Sequence, residues 1–332
     1  MRKFLMQIGK FLVSGLLIGL IVRQIGIQEL IDLMMQINRF WLFIALTVFT
    51  FSHLLGSFQW WILLRHQQVK ISIRTTIGFY FVGLFFNNFL ISQLGGDLFR
   101  VADIHRYAKD DAAAVTTVFL DRLAGLFVMS TLAIFSAPWI LFQGRLGPEM
   151  NVIYSAILLG WVFIILLLFN YSFTRPVAKM IRKIMPGKVM FKTREIYWKI
   201  HKFGRQPSLL FRVITISLVV QSCRILTHYF LARSLGVQVS MLYFFLFIPI
   251  IAIIASMPIS LGGLGVREQT GVLLFATAGM ASSQAASMEF LAYLVAIVTS
   301  IPGGFVFAFR RKVEKEKPSG SAQLEEVHHE MV

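Results

Sequence analysis

The chain has 332 residues, of which 57% are hydrophobic and only 14% are charged. An average soluble domain carries about 25% charged residues, so these few charges cannot cover the surface of a soluble fold. The formal charge of +16 also raises the question of nucleic acid, but the basic residues lie between apolar segments, and we expect no nucleic-acid partner. The sequence predicts an all-α polytopic membrane protein with about six to eight transmembrane helices.

The N-terminal segment combines Arg2 and Lys3 with an apolar run at 11–22. No small-residue cleavage site follows, so the run predicts an uncleaved first span rather than a signal peptide. We expect a single transmembrane domain over 1–312 and a polar, disordered tail over 313–332. Other uncharged stretches of spanning length, about 20 residues, occur at 76–96, 123–142, 152–170, 241–266, 269–288 and 290–309.

The distribution of Lys and Arg predicts the orientation. The loop 171–207 has ten Lys and Arg residues against one acid, Glu195. Cytoplasmic loops are enriched in Lys and Arg, so we place this loop and both termini in the cytoplasm of a bacterial-type plasma or inner membrane. The loops predicted on the other side are nearly neutral.

A first break is predicted at Gly95-Gly96. The segment 97–113 carries seven charged residues and cannot cross lipid as an ordinary span. The region 76–113 is therefore predicted to enter the membrane, break at the two glycines and return as a re-entrant hairpin. Asn87 and other polar residues before the break either line a headgroup path or satisfy the broken backbone.

Asp97 and Arg100 follow this break directly. Asp97 is expected to cap the returning helix with its carboxylate, and Arg100 would then lie one turn on. A cap with a local ion pair is one interpretation. The functional interpretation is that Arg100 and the helix terminus hold an anionic headgroup.

A second break resembles the first. In both, an arginine lies four residues after the second glycine, at Arg100 and at Arg267. Paired interrupted segments in two halves of a membrane chain indicate a transporter's central binding site, although short glycine strings also recur by chance. Parity does not decide whether 241–288 spans twice or is re-entrant. The interrupting residues are Pro249, Pro258, Gly262, Gly263 and Gly265.

Two further charged pairs are candidates. Arg267 has only Glu268 as a nearby charge, and Glu268 suits a helix N-terminus. A charge at membrane depth costs about 2.5–3.5 kcal/mol and tends to face a cavity or a partner, so Arg267 is a substrate-binding candidate, with simple pairing as the alternative. Asp121-Arg122 stands at the start of a predicted span, where a boundary ion pair is the alternative to function.

Arg224 lies inside an apolar segment, with Gln221 and His228 on the same helical face. We expect this polar face to line the interior of the bundle. Interhelical hydrogen bonding is the alternative to a role in substrate binding. His53 and Cys223 are expected to be packing residues.

Enzyme signatures are scarce. The sequence contains no HExxH, no GxxxxGK and no G-x-S-x-G motif, and its single cysteine excludes an internal disulfide. We therefore expect no metal, no cofactor and no catalytic activity. A catalytic role would depend on Asp97, Asp121 and Glu268 alone.

Three motifs carry a family resemblance. They are Gly95-Gly96-Asp97-x-x-Arg100, Asp121-Arg122-Leu123-x-Gly125, and Pro258-x-Ser260-x-Gly262-Gly263-x-Gly265-x-Arg267-Glu268. With them, most of the chain resembles the lysylphosphatidylglycerol synthase transmembrane-region proteins, also called flippase-like domain proteins. The family often has Glu where this chain has Asp121. The resemblance marks these residues as candidate functional positions: Asp97, Arg100, Arg122, Arg267 and Glu268.

In that family the membrane region stands alone or is joined to a cytosolic aminoacyltransferase domain, and it is associated with moving lipid between leaflets. Little chain follows 309, so we expect a lipid-translocating protein without the synthase domain. Relatives have been linked to hopanoid or isoprenoid-linked glycan export, which leaves the lipid open.

The leading hypothesis is a translocator. Its broken helices form a polar cavity near the midplane, where basic side chains hold the anionic headgroup of a phospholipid or an isoprenoid-linked lipid. One alternative is a subunit of an intramembrane lipid-linked transferase, with Asp97 or Glu268 as general base. The other is a scaffold that helps envelope enzymes assemble.

Overall fold

The structure is a computed structural model that describes residues 37–88, 95–142, 187–255 and 266–309, with scattered positions between 152 and 166. The regular elements in these ranges are all helical, which confirms the predicted fold class. The helices are α1 (Arg39–His66), α2 (Ile73–Asn87), α3 (Gly95–Ala108), α4 (Asp111–Phe142), α5 (Gly187–Gly204), α6 (Pro207–Ser234), α7 (Met241–Ala255), α8 (Val266–Ala276) and α9 (Ser282–Phe309).

Four of the described helices are long and apolar enough to cross a membrane: α1, the first part of α4, α6 and α9. A helix of 28 residues, such as α1, is about 42 Å long, and the hydrocarbon core of a bilayer is about 30 Å thick. The chain is therefore a polytopic membrane protein. The predicted first span at 11–22 and most of the predicted span at 152–170 lie outside the described residues.

Local sequence signals set the starts of the helices. The Asn38 side chain accepts a hydrogen bond from the Phe40 amide at 3.1 Å and caps α1. Ser72 caps α2 in the same way through the Thr75 amide at 3.1 Å. The Asn38 amide donates to the Ser234 carbonyl at 2.9 Å, so the Arg39 end of α1 lies beside the last residue of α6.

The first hairpin consists of α2 and α3, which pack against each other in opposite directions. Phe86 stacks on Phe99 with ring centroids 3.7 Å apart, and Phe79 meets Tyr107 at 6.2 Å. Helices of 15 and 14 residues are about 22 and 21 Å long, too short to cross the core. The predicted hairpin is confirmed, but Gly95 and Gly96 lie within the returning helix, with Asp97 in its first turn, whereas the sequence predicted the break at these two glycines.

The second hairpin consists of α7 and α8, which belong to the region whose number of crossings parity left open. The Phe275 ring lies 4.9 Å from Phe244 and 5.3 Å from Phe247, so the two helices run side by side. The described parts of these helices have 15 and 11 residues, and the residues between them, 256–265, lie outside the described part of the chain. The predicted break residues lie outside the described residues: Pro258, Gly262, Gly263 and Gly265.

The two hairpins enter the bundle from opposite ends. The Tyr107 hydroxyl donates to the Lys70 carbonyl at 3.2 Å, so the base of the first hairpin lies at the His66 end of α1. The second hairpin follows α6, whose final turn lies at the Arg39 end. The tips of both hairpins therefore point toward the middle of the bundle.

The uncharged stretches at 269–288 and 290–309 do not form two separate helices, and the second of them lies within α9, which is long and apolar enough to cross a membrane. The structure ends α8 at Ala276 and continues, after a turn, with the single helix α9 from Ser282 to Phe309. Gly279 in the turn has φ +81°, a conformation that glycine adopts without steric cost. Hydropathy does not register such a turn between small residues, and it placed a boundary at Glu289, which lies inside α9.

Glycines let α9 approach the first hairpin closely. A Cβ added at Gly303 would overlap the Phe81 carbonyl of α2, and one added at Gly304 would lie 2.8 Å from the Phe85 ring. Small residues at such crossings let helix backbones pack tightly in membranes. The first hairpin is therefore held against a spanning helix along its length.

The amphipathic helix α5 docks on the His66 end of the bundle. Its Ile200 and Phe203 pack into a cluster with Leu63 and Leu120. The Lys199 ammonium lies 3.0 Å from the carboxylate of Asp110, just before α4. The apolar face of α5 therefore packs on the bundle, while Lys202 on the same helix is exposed.

Acid should loosen the docking of α5. Burial opposes ionisation of Asp110, but hydrogen bonds from the Ala113 amide and Lys199 outweigh it, so the pKa of this carboxyl is lowered. The pair therefore stabilises docking above the ordinary carboxyl pKa of about 4 and is lost as the pH falls through the lowered value. We expect the fluorescence of half-exposed Trp198, taken as the difference from a Trp198→Phe variant, to change in that window. If the Trp198 fluorescence of an Asp110→Asn variant changed equally with pH, the change would not come from the pair of Asp110 with Lys199.

Gly303→Ala should destabilise the bundle. The added methyl meets backbone rather than a flexible side chain, so α9 must move off α2, at a cost of about 1–3 kcal/mol. Thermal unfolding in detergent measures it. Gly160→Ala is the control, because a Cβ there meets nothing within 4 Å and alanine favours a helix by about 1 kcal/mol. Equal melting of the two variants would show that the crossing is not tight.

Candidate functional site

A cavity of about 270 Å³ lies where the two hairpins meet. Asn87 and Asp97 line it from the first hairpin, and Ala255 and Arg267 line it from the second. His53, at the middle of α1, forms part of its wall. The cavity thus lies near mid-depth of the bundle. Its volume is close to the lower end for ligand pockets, about 300 Å³, which suits a headgroup rather than a whole lipid.

The cavity lining carries an excess of positive charge. Among the described residues, four arginines and two aspartates line it, which leaves two positive charges in excess. Of the predicted substrate-binding residues, Glu268 does not line the cavity; it lies half-buried in the first turn of α8. The charged lining residues are Arg100, Arg122, Arg224, Arg267, Asp97 and Asp121.

The first charged cluster joins the hairpin to α4. Arg100 donates to Asp121 at 2.8 Å and to Asp97 at 3.4 Å. Arg122 donates from Nε to the other Asp97 oxygen at 2.6 Å. The four charges alternate and cancel, so this cluster has no net charge. Charge-assisted hydrogen bonds of this length are among the stronger ones in proteins.

Aromatic rings enclose Arg100 as well. Its guanidinium group lies 4.1 Å from the Trp60 ring centroid and 4.8 Å from that of Tyr80, and the residue is only 5% exposed. Rings facing a desolvated cation contribute about 2 kcal/mol. Gln59 donates to Asp121 at 2.9 Å and fixes that carboxylate. Arg100 is therefore held rigidly in place.

The side chain that caps the break is Asn87 and not, as the sequence predicted, Asp97. The Gly96 amide donates to the Asn87 side-chain oxygen at 2.8 Å, whereas the Asp97 oxygens accept from Arg100 and Arg122. Asn88 donates across the bundle to the Ser300 hydroxyl at 2.9 Å. Asn87 thus satisfies a backbone amide at the break, Asn88 ties the hairpin to α9, and both line the cavity.

Asp121 and Arg122 are not a boundary pair. They lie inside α4, which begins at Asp111, and both line the cavity. Their ion-pair partners are Arg100 and Asp97 of the first hairpin. The sequence prediction missed this because it started the helix where the uncharged residues start. These two charged side chains of α4 therefore pair with protein groups instead of facing lipid.

The second charged cluster joins α8 to α6 and α9. The Arg267 guanidinium lies 3.4 Å from the Glu289 carboxylate and 3.3 Å from Nε2 of His228. The expectation that Glu268 is the only charge near Arg267 is therefore wrong. Glu289 has no exposed surface. This pair is longer than the one between Arg100 and Asp121.

Arg224 lies between the two clusters. It donates to the Tyr80 hydroxyl at 3.3 Å, its Nε is buried without a hydrogen-bond partner, and it forms no ion pair within the described part of the chain. Gln221 and His228 line the cavity beside it, which confirms the predicted polar face. His53 also lines the cavity; its ring packs on Phe49 with centroids 4.6 Å apart, as expected of a packing residue, and neither ring nitrogen has a hydrogen-bond partner among the described residues.

Sequence reasoning missed Glu289, Gln59 and Tyr80. Glu289 carried a signal, because it is the only charged residue between Ser282 and Phe309, and such isolated charges tend to be functional or paired. Gln59 and Tyr80 carried none, since polar and aromatic residues are common in membrane helices. In the described residues no group of three or more His, Cys, Asp or Glu is placed to hold a metal ion.

Asp121→Asn should destabilise the protein strongly. It leaves Arg100 buried with one weak partner, and breaking a buried pair costs about 3–5 kcal/mol. Asp111→Asn, at the exposed start of the same helix, should cost less than about 1 kcal/mol. Denaturant unfolding in detergent compares them. Equal losses would mean that the Arg100 cluster does not hold the hairpin in place.

Comparison with known proteins places this architecture in a family. A UPF0104 membrane protein of Pyrococcus horikoshii is 22% identical over 334 aligned residues, which cover 94% of this chain and 98% of that protein. The family model described as "Lysylphosphatidylglycerol synthase TM region" matches residues 7–304. That range includes both hairpins and all six charged residues of the cavity lining. The chain therefore belongs to the lysylphosphatidylglycerol synthase transmembrane-region family.

Proposed function

We propose that the protein translocates lipids with anionic headgroups across a cell membrane, with both of its termini in the cytoplasm. The observation that carries this proposal is Arg224, which faces the cavity without a counter-charge among the described residues. A buried arginine without a carboxylate is costly. An anionic ligand at this position supplies the missing charge.

The neighbouring groups suit a phosphate or a similar anion. Arg224 and Arg267 line the same cavity, and Arg122, whose side chain is 33% exposed, lies on its α4 wall. Arginine donates several hydrogen bonds in a fixed plane, a geometry that matches phosphate oxygens. His53 adds ring nitrogens that have no hydrogen-bond partner in the described part of the chain.

The rest of the lining suits the apolar part of a lipid. Apolar side chains also line the cavity, namely Phe49, Met129, Ile248 and Ile251. Leu126 also lines it and is 41% exposed, so the cavity wall on α4 reaches the outer surface of the bundle. A headgroup can therefore enter the cavity while its chains stay in the bilayer.

The hairpins support an alternating mechanism. Broken helices that meet near the midplane from opposite ends are typical of transporters, where a small movement of one hairpin opens the site to one side. The basic helix α5 lies at the His66 end, and cytoplasmic surfaces are enriched in such residues and attract anionic lipids. We therefore assign the His66 end to the cytoplasm.

A transferase is less well supported. A general base needs a free oxygen within reach of the substrate, yet both oxygens of Asp97 accept from arginines. Glu268, the other candidate base, does not line the cavity. The site is better suited to binding an anion than to activating a nucleophile.

Translocation of fluorescent phosphatidylglycerol in proteoliposomes tests the proposal. Arg224→Gln should slow translocation by at least about tenfold, since a hydrogen bond from a charged donor contributes about 1.5–3 kcal/mol. Arg233→Gln is the control on the same helix, because Arg233 lies over the Trp41 ring at the helix end, away from the cavity.

Phosphatidylcholine serves as the zwitterionic control lipid in this assay. The proposal requires faster movement of the anionic lipid by the wild type and by Arg233→Gln. Equal, slow movement of both lipids by all three proteins would contradict it, provided that thermal unfolding shows the Arg224 variant to be folded.

A further inference from the structure

Glu289 is a buried carboxylate that lipid binding alone does not require. It has no exposed surface, and α8 packs directly on it at Gly271, where an added Cβ would lie 2.9 Å from the Glu289 Cγ. Neither carboxylate oxygen has a hydrogen-bond partner in the described residues. Its nearest charged or titratable neighbours are Arg267 at 3.4 Å and His228 at 3.7 Å.

Arg267 stands between this carboxylate and the cavity. Arg267 and His228 both line the cavity, whereas Glu289 lies behind them. An anion that enters the cavity therefore competes with Glu289 for the same guanidinium group. When the anion takes Arg267, the carboxylate is left in apolar surroundings without its counter-charge. Proteins avoid that state by protonating the carboxylate.

His228 provides the route for the proton. Its Nδ1 lies 3.1 Å from the Arg224 carbonyl oxygen, and a carbonyl only accepts, so Nδ1 carries the hydrogen in the neutral ring. Nε2 is then free to accept, and it lies 3.3 Å from Arg267 and 3.7 Å from the Glu289 carboxylate. A proton that reaches Nε2 from the cavity therefore lies next to Glu289.

Two neighbouring groups act on the Glu289 carboxylate directly, His228 and Arg267, whereas Glu268 acts on Tyr293. The titratable and charged groups on the helices around this site are His228 and Arg224 on α6, Arg267 and Glu268 on α8, Tyr293 on α9, and His53, Tyr80 and Tyr243 on the described parts of α1, α2 and α7.

We infer that Glu289 is a proton-binding site. Its carboxylate and the transported anion alternate as partners of Arg267. The anion replaces the carboxylate on Arg267, and a proton passes from water through Nε2 of His228 to Oε2 of Glu289. The anion adds one negative charge and the proton one positive charge, so the charge of the site stays constant. The protein thus carries a proton together with each anionic headgroup. This inference rests on the proposed function, since the same cavity must bind the anion.

Calorimetric titration with dihexanoyl phosphatidylglycerol, below its micelle concentration, tests the coupling. Titrations in two buffers of different ionisation enthalpy give the number of protons taken up per anion bound. We expect about one for the wild type, because each displaced carboxylate must be neutralised, and none for Glu289→Gln. Glu195→Gln on α5, an exposed acid paired with Lys199, should behave as the wild type.

The outcomes separate the two proposals. Binding by the wild type without proton uptake, or equal uptake by Glu289→Gln, overturns the proton site and leaves anion binding intact. No binding of this anion by the wild type overturns both. If Glu289→Gln does not fold, anion binding by the wild type without proton uptake still overturns the proton site. A pH gradient that speeds lipid translocation by the wild type but not by Glu289→Gln would support the coupling independently.

Discussion

An arginine at the middle of a membrane protein needs a counter-charge, an aromatic face or a polar ligand around it. Arg100 has two carboxylates and two aromatic rings. Arg267 has one carboxylate, at a longer distance. Arg224 has a tyrosine hydroxyl and the cavity. Neutralisation thus decreases from Arg100 to Arg267 to Arg224. Arg100 is a fixed structural cation, whereas Arg267 and Arg224 are available to a ligand, and the proposed anion site follows from this difference.

The hairpins bring these charges to mid-depth without exposing broken backbone to lipid. Close helix contact makes this possible: a Cβ added at Gly96 would overlap the Gly83 carbonyl of the facing helix. The two hairpins differ in their fixation. The first is tied to α4 by short ion pairs at Asp97 and Asp121, whereas the second is tied through the longer Arg267 pair. If one hairpin moves during transport, the second is the less tightly held.

Much of this architecture could be predicted from the sequence, for physical reasons. A segment as charged as 97–113 cannot cross lipid, so a hairpin with a return at Gly95 was required. The polar face around Arg224 followed from helical spacing. The partners of the charges could not be predicted, because Arg100 with Asp121 and Arg267 with Glu289 pair across different helices. The hydropathy pattern also gave no sign that Glu289 is buried, because an ionisable residue was taken as the boundary between two apolar stretches. In the structure this residue packs inside the bundle.

Electron cryo-microscopy of the protein in nanodiscs that contain anionic phospholipid tests the central claim most directly. The claim is that the cavity between the opposed hairpins binds an anionic headgroup at mid-depth. The account predicts headgroup density within hydrogen-bonding distance of Arg224 and Arg267, with acyl chains leaving past Leu126. Lipid density confined to the outer surface of the bundle, with Arg224 paired to a carboxylate of the protein, would contradict it.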